Sequence, residues 1–276
     1  MTSPRALLAK AGLRPKKSLG QNFLVSPSTA VRIARLSLTG APPRSRTLEI
    51  GAGTGTLTRA LVAEDTELTA IEIDPALVEV LRSREDLGSA QIVQANALDF
   101  DYGNWSRGER WRVTGNLPYN IATPLMLRLI EMTPGPDVLT IMVQKDVAQR
   151  LVASPASRAY GSLSVAVQYA MSAELLFTVA PRSFFPAPKV DSSVVRLVRR
   201  SEPAVAVHDL SLFWKVVRGA FAYRRKTLVN SLALALGVDR ATIGRALVSC
   251  NLAPELRGER LDLGDFARLA DALAQG

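Results

Sequence analysis

The first two thirds of the chain alternate short apolar runs with segments in which apolar residues recur at helical spacing. The apolar runs that predict strands end at Ile50, Ile73, Val93, Val113 and Val143, and two later ones cover 175–179 and 193–198. Strands that alternate with helices are typical of an α/β fold with a parallel sheet. We expect the two late strands to form an antiparallel hairpin that closes this sheet.

The last third of the chain follows a different pattern. Residues 199–207 carry charges and a proline without any period, which is typical of a linker. From Leu210 to Leu273 the apolar spacing is helical and indicates a bundle of about four helices. The sequence therefore predicts two domains, an α/β domain over 1–200 and a smaller helical domain over 206–276.

Composition narrows the class of protein. Hydrophobic residues make up 47% of the 276 positions, enough for a sizeable core, and no apolar run is long enough for a membrane span or a secretory leader. We therefore expect a cytoplasmic protein with no membrane contact. A single cysteine, Cys250, and a single histidine, His208, exclude an internal disulfide and a Cys/His zinc site, so no metal is expected.

The net charge of +9 is concentrated at one end. The first 48 residues contain nine lysines and arginines and no acidic residue, whereas the remainder balances 25 basic against 25 acidic side chains. A local excess of this kind favours a surface that contacts phosphates, as in nucleic acid. A solvated basic arm is the alternative, but the sequence Gln21-Asn22-Phe23-Leu24 within it is too amide-rich and aromatic for solubility alone.

Three glycines mark the turn between the first strand and the following helix. They are Gly51, Gly53 and Gly55, and they allow backbone conformations and ligand approaches that a Cβ would prevent. A dinucleotide fingerprint would require the third glycine at position 56, where this chain has Thr56. The spacing therefore favours another nucleoside cofactor, although a close strand-to-helix packing turn would look the same.

Acidic residues near this turn indicate the charge of that cofactor. Glu72 lies 21 residues after Gly51, at the end of the second strand, where a carboxylate can accept hydrogen bonds from ribose hydroxyls. Glu49 and Asp74 add negative charge. An acidic pocket attracts a sulfonium such as that of S-adenosylmethionine and repels a pyrophosphate, so we predict a methyl-donor site.

The loop Asn116-Leu117-Pro118-Tyr119 follows another strand end. The Asn116 side-chain oxygen and the Leu117 main-chain carbonyl can accept the two N–H groups of an exocyclic amine, which makes its nitrogen more nucleophilic. Pro118 would hold the turn rigid, and Tyr119 would stack on a base. In isolation, the loop could equally be a proline-anchored turn with a core tyrosine.

Six motifs in the same order span nearly the whole chain, and together they resemble the KsgA-type ribosomal RNA adenine dimethyltransferase family. They are KKSLGQNFL (16–24), EIGAGTG (49–55), IEID (71–74), GNLPYN (115–120), FFPAPKVDSSVVRL (184–197) and AFAYRRKTLVNSL (220–232). The resemblance implies a Rossmann-like class I methyltransferase domain with a small C-terminal all-α domain that binds or orients RNA. It also implies a monomeric enzyme that uses S-adenosylmethionine to dimethylate two adjacent adenosines of 16S rRNA in the precursor of the small ribosomal subunit (30S).

The resemblance also assigns roles to individual residues. It implies that Asn22 and Leu24 touch the cofactor and that Phe184 stacks on the base opposite Tyr119. The residues alone leave that role open between Phe184 and Phe185. Asn116 is predicted to contact the cofactor as well as the base. At position 96 the family usually has an aspartate that receives the cofactor's adenine amino group, whereas this chain has Asn96. The asparagine can still accept that hydrogen bond, so we expect differently tuned cofactor binding, with Asp99 as an alternative acceptor.

Two other functions stay open at this point. Related enzymes methylate 23S rRNA and confer antibiotic resistance, although the C-terminal AFAYRRKTLVNSL resembles the small-subunit branch. Alternatively, the fold could serve as a non-catalytic assembly factor, which the intact loop at Asn116 and the presence of Glu72 argue against. The cations Arg224-Arg225-Lys226 at a predicted helix junction could interact with a helix dipole or with rRNA phosphates.

Overall fold

A computed structural model describes residues 3–118, 120–223 and 225–274, and the chain divides into two compact units. The first holds the chain up to Ala148 together with Ala173–Arg199, and the second holds Gln149–Ser172 and the chain from Arg200 onward. The sequence had placed 149–172 in the α/β domain. The structure groups this segment with the C-terminal helices. The ring of Tyr169 lies 5.2 Å from that of Phe213, measured between ring centroids, although the two residues are far apart in sequence.

The first unit is built on a seven-stranded sheet. Its strands are β2 (Ser45–Ile50), β3 (Thr66–Glu72), β4 (Gln91–Gln94), β5 (Trp111–Asn116), β6 (Val138–Gln144), β7 (Met171–Val179) and β9 (Ser192–Arg199). The order is β4-β3-β2-β5-β6-β9-β7, in which β2 to β6 are parallel to one another and β9 is antiparallel to β6. The predicted α/β class is confirmed. The two late strands are neighbours at one end of the sheet.

Helices alternate with the strands of this unit, and the last of them ends in the second unit. They are α1 (Pro4–Lys10), α2 (Pro27–Leu38), α3 (Thr56–Val62), α4 (Pro75–Arg82), α5 (Tyr102–Ser106), α6 (Ala122–Glu131) and α7 (Lys145–Leu151). Ser26 and Asp74 cap α2 and α4, each followed by a proline that suits the first helical position. The buried face of α2 packs with Leu61 and Leu68 in one apolar cluster. The short helices α1 and α5 were not predicted.

A second, two-stranded sheet lies outside the main one. Its strands β1 (Phe23–Leu24) and β8 (Phe184–Phe185) pair antiparallel, with Phe23 opposite Phe185 and Leu24 opposite Phe184. Two residues are too few to show a period, so the sequence did not reveal this pairing. The prolines that follow Phe185 cannot donate ladder hydrogen bonds, and this loop lies outside the main sheet. The pairing attaches the N-terminal segment to the loop.

The second unit is helical. Its described helices are α8 (Ser162–Ala170), α9 (Leu210–Ala222), α10 (Leu228–Leu236), α11 (Arg240–Ser249) and α12 (Leu263–Ala274). Phe213, Leu247 and Phe266 are fully buried in it, as their helical spacing predicted. Within the described part of the chain, none of the helices combines the length and apolarity that a membrane span requires.

Candidate functional site

One pocket opens where β2, β3, β4 and β5 end. The carboxyl edge of a parallel sheet is where open α/β folds bind ligands. The lining includes all seven residues that the sequence predicted to bind the cofactor, which are Asn22, Leu24, Gly51, Gly53, Glu72, Asn96 and Asn116. These residues come from five separate stretches of sequence. The fold therefore brings the predicted donor-binding residues into a single site.

The glycine turn forms the floor of this pocket. Gly51, Gly53 and Gly55 all have left-handed backbone conformations, with φ angles of 75°, 58° and 80°. A Cβ at Gly53 would also come within 3.0 Å of the Phe23 ring, which packs over the turn from the N-terminal segment. Glycine is needed there for both conformation and space.

Glu72 is held rigidly at the edge of the pocket. One carboxylate oxygen accepts the Gly53 N–H at 2.9 Å, and the other accepts the N–H groups of Ile73 and Asp74 at 2.9 and 3.0 Å. Burial raises the pKa of Glu72, and the three amide donors oppose this rise. The carboxylate is therefore oriented before any ligand arrives.

Glu49 contributes a second, more deeply buried carboxyl to the pocket lining. It is 1% exposed, and its Oε2 atom has no hydrogen-bond partner among the described residues. Burial, with a smaller contribution from the neighbouring charge of Glu72, raises the pKa of Glu49 to about 7, partly offset by Thr58. An unpaired buried carboxylate is costly unless a cation compensates it. The residues present therefore fit a cationic cofactor.

The pKa of Glu49 predicts a pH dependence. Because its folded pKa lies above its unfolded value, it contributes stability that is present below about pH 4.5 and is lost as the pH rises through about 7. The free energy of unfolding changes by about 3 kcal/mol in total between these two pH values. We therefore expect the melting temperature of the free protein to fall between about pH 4.5 and 7, relative to Glu49→Gln. Affinity for S-adenosylmethionine should rise over the same range.

Calorimetric titration and thermal denaturation at a series of pH values test this prediction. The Glu49→Gln variant is nearly isosteric and does not titrate, so its profile serves as the reference. Parallel pH profiles in the two proteins would remove Glu49 as the titrating group.

The Asn116 loop faces the glycine turn from the end of β5. Leu117 is 1% exposed and donates its N–H to the carbonyl of Met142 on β6 at 3.0 Å. The Pro118 carbonyl accepts the N–H groups of Ile121 and Ala122 where α6 begins. Asn116, Leu117 and Pro118 all line the pocket, whereas Tyr119 lies outside the described residues. The loop is therefore anchored to β6 and α6.

Position 115, directly before this loop, tolerates only glycine. A Cβ at Gly115 would overlap the main-chain carbonyl of Ile50 on β2. No flexible side chain is involved, so the overlap could be relieved only by separating two neighbouring strands. The glycine before Asn116 thus sets how closely the loop and the glycine turn approach each other.

Phe184 and Phe185 occupy different environments. Phe184 is 4% exposed, is packed in the cluster that contains Leu24, and is not among the residues that line the pocket. Phe185 is half-buried beside Phe23, and the guanidinium of Arg5 lies 5.7 Å from its ring centroid. The two rings therefore face different surroundings, while the base-stacking role stays a prediction.

Both the oxygen and the nitrogen of the Asn96 side-chain amide are hydrogen-bonded. Its oxygen accepts the Leu98 N–H at 3.1 Å, and its nitrogen donates to the Asp99 carboxylate at 2.5 Å. Asp99 therefore lies beside Asn96 but is not among the residues that line the pocket, so its role as an alternative acceptor stays a prediction.

The structure corrects the expectation for Asp74. Its side chain does not line the pocket but faces the N-terminal segment, where it accepts from Lys16 at 2.9 Å and from Gln21 at 3.1 Å. Lys16 neutralises its charge, so the acidity of the pocket rests on Glu49 and Glu72. No sequence pattern predicts these contacts, because Lys16 and Asp74 are 58 residues apart. Gln21, Thr54 and Asn120 also line the pocket and were not predicted to do so.

This chain is similar to known proteins over nearly its whole length. The model of a family described as ribosomal RNA adenine dimethylase matches residues 12–274. A relative from Pelotomaculum thermopropionicum is 41% identical over 97% of this chain and 94% of its own, and one from Geobacter metallireducens is 42% identical over 95% and 96%. Both are named ribosomal RNA small subunit methyltransferase A.

Two solved structures share the fold. A dimethyladenosine transferase from Plasmodium falciparum has a TM-score of 0.70 at 23% identity and covers 90% of this chain and 95% of its own. The 23S rRNA methyltransferase ErmE has a TM-score of 0.66 at 25% identity and covers 92% of this chain and all of its own.

Proposed function

Because this chain belongs to the ribosomal RNA adenine dimethylase family, we propose that it dimethylates N6 of two adjacent adenosines near the 3′ end of 16S rRNA. It is an S-adenosylmethionine-dependent rRNA adenine dimethyltransferase. The observation that carries this function is the juxtaposition of an acidic nucleoside pocket with the Asn116 loop in one cavity.

The pocket residues account for binding of the donor. Glu72, fixed by three main-chain amides, would accept hydrogen bonds from the ribose hydroxyls. Glu49, with its unpaired Oε2, would balance the positive charge of the methionine portion. When bound, S-adenosylmethionine supplies a methyl group activated by its sulfonium.

The Asn116 loop would prepare the nucleophile. An exocyclic amine on adenine is a poor nucleophile because its lone pair is delocalised into the ring. The Asn116 amide oxygen and the Leu117 carbonyl would each accept one N–H, which favours a tetrahedral nitrogen. No general base is then required before attack, since the amine becomes acidic enough to release a proton to water as the new bond forms. These groups act by position and by electrostatics.

The small subunit is favoured over the large one as substrate. The relatives that are 41% and 42% identical are named for the small subunit, whereas ErmE, named for 23S rRNA, is 25% identical. We extend the proposal to a monomer that acts on the precursor of the 30S subunit. The exposed Arg225 and Lys226 would contact rRNA phosphates; Arg224 lies outside the described residues.

The decisive experiment incubates the purified protein with labelled S-adenosylmethionine and small subunits that lack the two methylated adenosines. We expect label at two adjacent adenosines near the 3′ end of 16S rRNA, mapped by mass spectrometry of nuclease fragments. Large subunits treated in parallel provide the comparison. Label in 23S rRNA only would transfer the function to the large-subunit class, and no label in any RNA would leave the non-catalytic reading.

The stacking role proposed for Phe184 can be tested without emptying the core. Phe184→Leu keeps an apolar side chain of similar size but removes the aromatic face. Because base stacking is worth about 1–3 kcal/mol, we expect kcat/KM for rRNA to fall by about tenfold or more, with donor affinity unchanged. Phe185→Leu is the matched control. A loss confined to Phe185→Leu would assign the base-stacking role to that residue instead.

A further inference from the structure

The N-terminal segment that covers the pocket is tied to the end of β3 by one carboxylate. Lys16 donates to Asp74 with its ammonium at 2.9 Å, and Gln21 donates its amide N–H to the same carboxylate at 3.1 Å. The Gln21 side-chain oxygen in turn accepts the Lys16 N–H at 2.7 Å. The side chain of Asp74 is only 4% exposed, although that of Lys16 is 48% exposed. Both ends of the segment 16–21 therefore converge on Asp74.

Asp74 is itself held in place by further hydrogen bonds. Its main-chain N–H is bound to Glu72, and its side chain also caps α4 by accepting the Ala76 N–H at 3.2 Å. Its position is therefore set by the strand and the helix that it joins. A side chain held in this way can serve as a fixed anchor for a neighbouring segment.

Asn22 is held between two such anchors. On one side Gln21 is bound to Asp74, and on the other Phe23 pairs with Phe185 in the small sheet. Between them, the Asn22 carbonyl accepts a hydrogen bond from the side-chain nitrogen of Asn116 at 2.8 Å. A carbonyl can only accept, so this bond determines which end of the Asn116 amide faces the N-terminal segment. The amide oxygen must then lie on the opposite side of the planar group.

We propose that Asp74 and Lys16 are positioning residues for methyl transfer, because they hold the segment whose Asn22 carbonyl orients the amide of Asn116. This inference rests on the proposed function, in which the Asn116 oxygen accepts the adenine amine. Neither residue needs to touch donor or adenine. The same N-terminal segment contributes to donor binding and orients the Asn116 amide, since Asn22 also lines the pocket.

The inference predicts the same effect from two opposite changes of charge. Lys16→Met removes a cation and Asp74→Asn removes an anion, so an effect that operated through RNA phosphates would have opposite signs. Asparagine can still cap α4, and Lys16→Arg can still pair with Asp74. Lys17→Met is the matched control, because Lys17 is an exposed cation in the same segment.

Two measurements test the proposal. We expect kcat for small-subunit rRNA to fall by about tenfold, the equivalent of one charge-assisted hydrogen bond, in both Lys16→Met and Asp74→Asn. Lys16→Arg should retain wild-type kcat, whereas Lys17→Met should act on the KM for rRNA more than on kcat and should leave the exchange at residues 20–24 unchanged. Hydrogen exchange of the ligand-free proteins should show faster exchange at residues 20–24 in the two impaired variants. The double variant Lys16→Met/Asp74→Asn should be no worse than the worse single variant.

The outcomes separate this inference from the proposed function. Inactive wild-type protein would overturn the function itself. An active wild type with unchanged kcat and unchanged exchange in both variants would overturn only the positioning role. Effects of opposite sign in the two variants, or an equal loss in Lys17→Met, would also overturn it, since these would indicate a charge effect on RNA binding.

Discussion

Replacing Asn116 with alanine is expected to lower the rate of rRNA methylation by about 10²- to 10³-fold, the scale seen when one preorganised polar group is removed from an active site. The side chain stands at the end of β5, and its nitrogen is already engaged by the Asn22 carbonyl. Without the amide, the adenine amine loses one of its two proposed acceptors and its nitrogen stays conjugated with the ring. Affinity for S-adenosylmethionine should change only a few-fold, because the acidic residues of the pocket are untouched.

Single-turnover methylation and calorimetric donor binding measure the two effects separately. Asn104→Ala is the matched control, since Asn104 is an exposed asparagine on α5. Full activity in Asn116→Ala would refute the role assigned to this side chain. Loss of donor binding together with activity would show that Asn116 acts through the cofactor and not through the adenine.

Replacing Glu72 with alanine is expected to weaken donor binding by about 100-fold or more, because hydrogen bonds to a charged group are worth about 1.5–3 kcal/mol each. The carboxylate would accept from the two ribose hydroxyls and already accepts from Gly53, Ile73 and Asp74. Its removal also leaves those three amides without their acceptor, so the glycine turn loses the bond from Gly53 and is held to β3 by the Ile71 carbonyl. Both effects lower the affinity for S-adenosylmethionine.

Calorimetry with S-adenosylmethionine and with S-adenosylhomocysteine tests this prediction. Both ligands carry the same ribose, so the loss should be similar for the two. Glu79→Ala, an exposed glutamate on α4, provides the control. Unchanged affinity in Glu72→Ala would remove the residue from the donor site.

Much of the site could be predicted because its functional groups lie in short, contiguous sequence motifs. The glycine turn, the acidic residue at the end of β3 and the Asn116 loop each follow an apolar strand, and a parallel sheet brings the ends of such strands to one edge. The alternation of strands and helices was therefore enough to bring Gly51, Glu72 and Asn116 together. The resemblance to a known family added Asn22, Leu24 and Asn96.

The stretches that could not be predicted are short or held by distant partners. The helix α5 has five residues and the strands β1 and β8 have two each, so none of them shows a readable period. Segment 149–172 has a helical pattern that fits either unit, and only its packing assigns it to the second. The environments of Phe184 and Phe185 likewise depend on which strand pairs with them.

The sequence by itself determined the fold class, the glycine turn, the family and the identity of the groups that could bind a methyl donor, since periodicity and motif spacing are local properties of a chain. Only the tertiary structure decided what each charge faces. Glu49 and Asp74 are both acidic residues at strand ends, yet Glu49 has a buried oxygen with no hydrogen-bond partner among the described residues, and Asp74 is neutralised by Lys16 from the N-terminal segment. Burial and pairing depend on residues far away in sequence, and these determine the pKa and the role of a carboxylate.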